Sequence, residues 1–123
     1  MIRAESKASR YITEFSNGTA HGISDLGRER GGQGEGFPPH DLLEAALATC
    51  MNITVRIYAE HHGIPIGAVS TIVTTEGGGE ETVLRCQVEI EGELDGATRE
   101  KLQQVARRCP VRMALSKPIR FVD

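Results

Sequence analysis

Among its three cysteines the chain has no C-x-x-C or C-x-x-H pair, so no zinc site is indicated by spacing. No secretory signal is recognisable, which argues against a structural disulfide framework and for a compartment where any disulfide is transient and functional. No apolar run looks long enough to cross a bilayer. Excess basic charge is also missing: the formal net charge is −3 and the sequence pI about 5.8, which disfavours a general nucleic-acid or membrane-surface binder. A cytoplasmic protein with no nucleic-acid or membrane partner is expected. The glycine-rich stretch LGRERGGQGEGF (residues 26–37) has no Gly-Lys-Ser/Thr after it and the wrong spacing for a dinucleotide fingerprint, so nucleotide binding has no support. His21, His61 and His62 likewise have no metal-ligand spacing.

What is present is organised around residues 38–63, PPHDLLEAALATCMNITVRIYAEHHG. Leu43, Leu47, Cys50, Ile53 or Thr54 and Ile57 recur at helical spacing, and Ala45, Ala46, Ala48 and Met51 make the middle apolar nearly all round. Pro39 suits a first turn, and Asp41 and Glu44 favour the positive end of the dipole. His61 and His62 favour the negative end, and Gly63 suits a left-handed cap. Such a helix spans about 35 Å and needs burial on most sides. A single small sheet covers only one side, so a homodimer is expected, its sheets wrapped around paired long helices.

The remaining elements fit one domain covering residues 1–123. Residues 11–25 hold two strand-like runs around Ser16-Asn17-Gly18, a strong hairpin signal, and residues 2–7 suit a short strand before them. Residues 26–37 read as an exposed loop leading to the helix. Residues 66–76 and 82–94 form a second hairpin across Gly77, Gly78 and Gly79. In its second strand Leu84, Cys86, Val88 and Ile90 alternate with polar residues, so Cys86 reads as core. Asp95 suits the cap of a helix from Ala97, with Leu102, Val105, Ala106 and Cys109 as its stripe and Pro110 ending it. A turn through Met113 and Leu115 then leads to a last strand over residues 118–122. The basic residues from Arg99 onward read as a solvated face. The fold class is α+β with antiparallel sheet elements.

Cys50 and Cys109 both fall on helical, core-facing stripes, and buried, inert thiols remain a sufficient account of them. A reactive cysteine needs a stabilised thiolate. Cys50 lies too deep in its helix for the dipole to help, and Cys109 reads as C-terminal in its own, where the dipole disfavours an anion. Local sequence does not rank them.

Taken together, GGQG at residues 31–34, Pro39 followed by LLEAALATC ending at Cys50, and RRCPV carrying Cys109 closely resemble the OsmC/Ohr family of osmotically inducible and organic hydroperoxide resistance proteins. The resemblance implies an OsmC-like fold, an intertwined homodimer with sites at the subunit interface, and a thiol-dependent peroxidase needing no metal or haem cofactor. By the same resemblance, Cys50 is the peroxidatic cysteine, Cys109 the resolving one, and Arg10 the arginine that stabilises the thiolate, with Arg28 and Arg30 as competitors. Organic hydroperoxide is the implied substrate and a small thiol or lipoylated protein the reductant. Where the family's peroxidases place a glutamate to hold that arginine, this chain has His40, followed by Asp41 and, a turn on, Glu44. A neutral histidine cannot hold arginine by a bidentate charge pair as a carboxylate does, so either Asp41 substitutes or the thiolate is less activated. The alternatives to a peroxidase are a non-catalytic dimer binding a small hydrophobic ligand and a redox sensor using the same cysteine pair.

Overall fold

The structure, a computed structural model, describes residues 1–123. The chain divides into two compact units, Met1–Leu43 and Glu44–Asp123.

The first unit carries a three-stranded antiparallel sheet in the order β1 (Arg3–Ser6), β2 (Thr13–Ser16), β3 (His21–Ser24). The β2–β3 hairpin turns at the expected Asn17-Gly18: Asn17 Oδ1 accepts the N–H groups of Thr19 at 2.9 Å and Ala20 at 2.8 Å, and Gly18 takes φ +99°. That left-handed conformation carries no Cβ penalty in glycine. The β1–β2 turn is closed by Lys7 N–H to Ile12 O at 2.9 Å and Ile12 N–H to Ser9 O at 3.0 Å, and Arg10 sits within it. The glycine-rich stretch is a loop as expected, containing a 3-10 turn at Arg28–Arg30. Its far end returns to β3, where Ser24 Oγ donates to Phe37 O at 2.8 Å.

The second unit holds α1 (Pro39–His61) from Glu44 onward, β4 (Val69–Glu76), β5 (Val83–Ile90), α2 (Gly96–Ala106) and α3 (Pro110–Leu115). α1 ends as the sequence predicts, with Gly63 at φ +62°. Its buried stripe, however, is Leu47, Met51, Val55 and Ala59, not the line through Cys50, Ile53 and Ile57. That i, i+4 row shares one buried cluster with residues of β4, β5 and α2, and Cys50 packs against it only half-buried. Ile53 and Ile57 are left 59% and 51% exposed. α1 is also long and apolar enough, by length and composition, to cross a membrane, which corrects the sequence expectation. Here its buried stripe packs in a core of Val73, Ile90, Leu102, Ala106 and Cys109.

β4 and β5 pair antiparallel from Val69↔Ile90 to Glu76↔Val83. The alternation holds: Leu84, Cys86, Val88 and Ile90 all pack on the core. Two α1 side chains stitch the sheet to the helix. Glu44 Oε1 accepts the Thr75 N–H at 2.7 Å, and Asn52 Oδ1 accepts from Thr71 Oγ1 at 2.6 Å. Asp95 caps α2, its Oδ1 accepting the Thr98 N–H at 2.7 Å. That contact, together with Thr98's hydroxyl, holds the Asp95 carboxyl below its ordinary pKa.

Two C-terminal expectations are corrected. α2 stops at Ala106, and Cys109 opens α3 instead of closing α2. The reason is Pro110, which has no N–H for an α2 bond but suits the first turn of a new helix. No strand forms over residues 118–122. Ile119, Phe121 and Val122 stand exposed there, Phe121 at 87%, with no strand of this chain beside them to complete a ladder.

Candidate functional site

Cys50 projects from the middle of α1, half-buried and packed on the core between the buried turns at Leu47 and Met51. Cys109 is fully buried and reaches the same place by another route. After α2 the chain turns at Arg107 and Arg108, and Pro110 starts α3 with Cys109 as its N-cap. The Sγ of Cys109 accepts the Arg112 N–H at 3.4 Å, so it takes the part a serine or aspartate oxygen usually plays.

The structure thus brings Cys50 and Cys109 side by side, and both are free thiols. Burial pushes the Cys109 thiol above its ordinary pKa. The neighbouring Cys50 thiol adds to the rise, and the N–H groups of Arg112 and Val111 oppose it without reversing it. Cys109 therefore rests as a neutral thiol near pH 7. Two adjacent sulfurs in one core can be joined by a two-electron oxidation to a disulfide. Cys86, on β5 opposite Val73, packs against the same core and lines a hollow of about 170 Å³ with Leu47, Leu84, Arg112 and Leu115.

Arg10 lies exposed in the β1–β2 turn of the first unit. Arg28 and Arg30 belong to the 3-10 turn, where Arg28 Nε donates to Gln33 O at 3.3 Å. His40 and Asp41 are exposed on the first turn of α1. Glu44, the other nearby carboxylate, has one oxygen committed to the β4 backbone. No three His, Cys, Asp or Glu side chains converge as metal ligands do.

One residue escaped the sequence reading. Asp25 is 1% exposed, and its carboxylate accepts backbone N–H groups from Tyr11, Leu26, Gln33 and Glu35. Burial alone would raise its pKa. The amides of Glu35, Gln33, Leu26 and Tyr11 outweigh burial and hold it below the ordinary carboxylate value. The available signal was an aspartate directly before a glycine-rich loop, the position from which Asx side chains bond the following backbone.

A family model described as OsmC-like protein matches residues 32–122. No curated protein matches the chain by sequence. Among solved structures, the chain is similar to an OsmC-like protein from Mycoplasma pneumoniae at TM-score 0.78 and 21% identity, covering 94% of this chain and 86% of that one. It is similar to an organic hydroperoxide resistance protein OsmC from Legionella pneumophila at TM-score 0.68 and 24% identity, covering 94% and 87%. A third, an organic hydroperoxide resistance protein from Elizabethkingia anophelis with thiocyanate bound, has TM-score 0.65 and 17% identity over 93% and 86%. At these identities the likeness establishes the α+β fold with its antiparallel sheets and long helix.

Proposed function

This chain belongs to the OsmC-like protein family, and from that premise we propose that it is a cysteine-based peroxidase reducing organic hydroperoxides to alcohols. The Cys50 thiolate attacks the terminal oxygen of the hydroperoxide. An S–O bond forms, the O–O bond breaks, and the departing alkoxide takes a proton to become the alcohol. Cys50 is left as a sulfenic acid. The Cys109 sulfur then attacks the Cys50 sulfur, water leaves, and a disulfide joins the two. A dithiol, from a small thiol or a lipoylated protein, returns two electrons by thiol–disulfide exchange and is itself oxidised. Arg10 supplies the positive charge that favours the Cys50 thiolate.

The observation that carries this reading is the placement of two free thiols, Cys50 and Cys109, side by side in one core. The protein acts as a homodimer in this proposal, with Ile53 and Ile57 on the covered face; their exposure in the single chain supports it. His40 favours a second reading, a non-catalytic dimer whose apolar interface binds a small hydrophobic ligand, unless Asp41 holds the arginine in place of the missing glutamate. A redox sensor using the same cysteine pair lies between the two.

The test is peptide mapping by mass spectrometry after the reduced protein meets one equivalent of cumene hydroperoxide. Rapid appearance of a Cys50–Cys109 disulfide with Cys86 free is expected, followed by repeated turnover when dithiothreitol is supplied. A disulfide that forms without turnover identifies the sensor. Survival of all three thiols in excess peroxide excludes both, and points to a dimer whose apolar interface binds a ligand.

A further inference from the structure

Asp25 is a buried carboxylate in no ion pair. Its Oδ1 accepts the N–H groups of Leu26 at 2.8 Å and Tyr11 at 3.4 Å, and its Oδ2 those of Gln33 at 3.0 Å and Glu35 at 3.2 Å. Amide dipoles alone compensate the charge, an arrangement that is costly if any of them is lost. Three of the donors belong to the glycine-rich loop and wrap it around the carboxylate. The wrapping is tight: a Cβ on Gly32 would collide with the Leu26 carbonyl oxygen and stand 2.9 Å from Asp25 Oδ1.

The fourth donor has another origin. Tyr11 lies in the β1–β2 turn, directly after Arg10. A peptide unit is planar, so a bond that fixes the Tyr11 N–H also fixes the Arg10 carbonyl and limits how the Arg10 Cα–Cβ bond can point. Arginine otherwise has much rotamer freedom to lose when it is held against a charge. The Tyr11 bond is the sole link the carboxylate makes outside its own loop.

We propose that Asp25 is the positioning residue for Arg10, setting the backbone from which that arginine reaches the thiolate. The proposal rests on the reading of Arg10 given above. It assigns Asp25 no contact with substrate; its effect passes through the Tyr11 amide.

The experiment follows alkylation of Cys50 by iodoacetamide across pH, resolved by peptide mass spectrometry, in the full-length reduced protein. Wild type, Asp25→Asn, Arg10→Gln and the double variant are compared, with thermal unfolding recorded for each. Asp25→Asn is expected to slow Cys50 alkylation at pH 7 by about tenfold, the effect of a one-unit rise in thiol pKa, and to move the midpoint of the profile as Arg10→Gln does. The double variant is expected to be no slower than Arg10→Gln alone. A loss of stability without a moved midpoint would mean that Asp25 only holds the loop, and it overturns the proposal. A double variant slowed by the product of the two single effects overturns it too. If Asp25→Asn does not fold, Asp25→Glu, which keeps the charge and lengthens the reach, takes its place under the same criteria. An unchanged profile for Arg10→Gln, with the peroxide-driven disulfide still forming, removes the Arg10 role and this proposal but leaves the peroxidase reading standing. Failure of Asp25→Asn to act while Arg10→Gln does act removes only the proposal.

Discussion

Cys109 caps α3 with the same sulfur that stands against Cys50. The cap explains how a cysteine that sequence places at a helix end becomes a fixed partner for one in mid-helix. Its rotamer is held by a backbone amide that does not depend on redox chemistry.

Cys109→Ser separates the two roles. Serine caps a helix at least as well as cysteine, so the fold should survive, with thermal unfolding close to wild type. Under the peroxidase proposal the variant reacts once with cumene hydroperoxide, and Cys50 then advances to sulfinic acid. Cys50→Ser should consume no peroxide. Intact mass after stepwise peroxide addition reads both outcomes.

Two groups bound the pH range of stability from opposite sides. Asp25 has a folded pKa below its ordinary value of 3.8, so its contribution is present above that value and is lost as pH falls through the lower folded one. Cys109 has a folded pKa above its ordinary value of 9.0, so its contribution is present below 9.0 and is lost as pH rises through the higher folded one. Urea unfolding between pH 3 and pH 10 should show a plateau with two falling limbs, about these values. Asp25→Asn should flatten the acid limb and Cys109→Ser the alkaline one.

Leu102 is fully buried where α2 meets α1 and β5. Leu102→Ala should cost about 2–5 kcal/mol, the range for a cavity in a well-packed core, measured as a fall in urea midpoint at constant slope.

Ile53 and Ile57 carry the contrasting prediction. Ile53→Asp with Ile57→Asp should leave far-UV circular dichroism unchanged, because neither side chain is in the core of the single chain. If the homodimer covers that face, sedimentation velocity should show the double variant as a monomer at concentrations where wild type is a dimer. Equal sedimentation of the two would exclude this face as the interface.

Where structure follows from near neighbours in the chain, the sequence was legible. Asn17-Gly18 makes its turn, Asp95 caps its helix, and the alternation of Leu84 to Ile90 fixes which face of β5 is inside. The orientation of α1 was not legible in the same way. A helix apolar nearly all round has several rows that could face the core, and the row that does, Leu47, Met51, Val55 and Ala59, is set by tertiary packing with β4, β5 and α2. Residues 118–122 have strand composition, but a strand also needs a neighbour, and composition cannot supply one. Cys109 was read on the right side of the core but at the wrong end of a helix, since Pro110 both closes one helix and opens the next. Asp25 before the glycine-rich loop hinted at a local turn, but its burial was not legible, because its donors come from four separate backbone positions.

The side chains of α2 that reach β5 bear on how the protein behaves at high concentration. Gln103 Nε2 donates to Val88 O at 2.9 Å, and Arg99 donates to Ile90 O at 2.7 Å and Gly92 O at 2.9 Å. A two-stranded sheet has two open margins, each able to recruit a foreign strand and begin a fibril. Along the second half of β5 the acceptors such a strand would need are already taken, so runaway polymerisation is blocked there by a helix that the fold needs for other reasons.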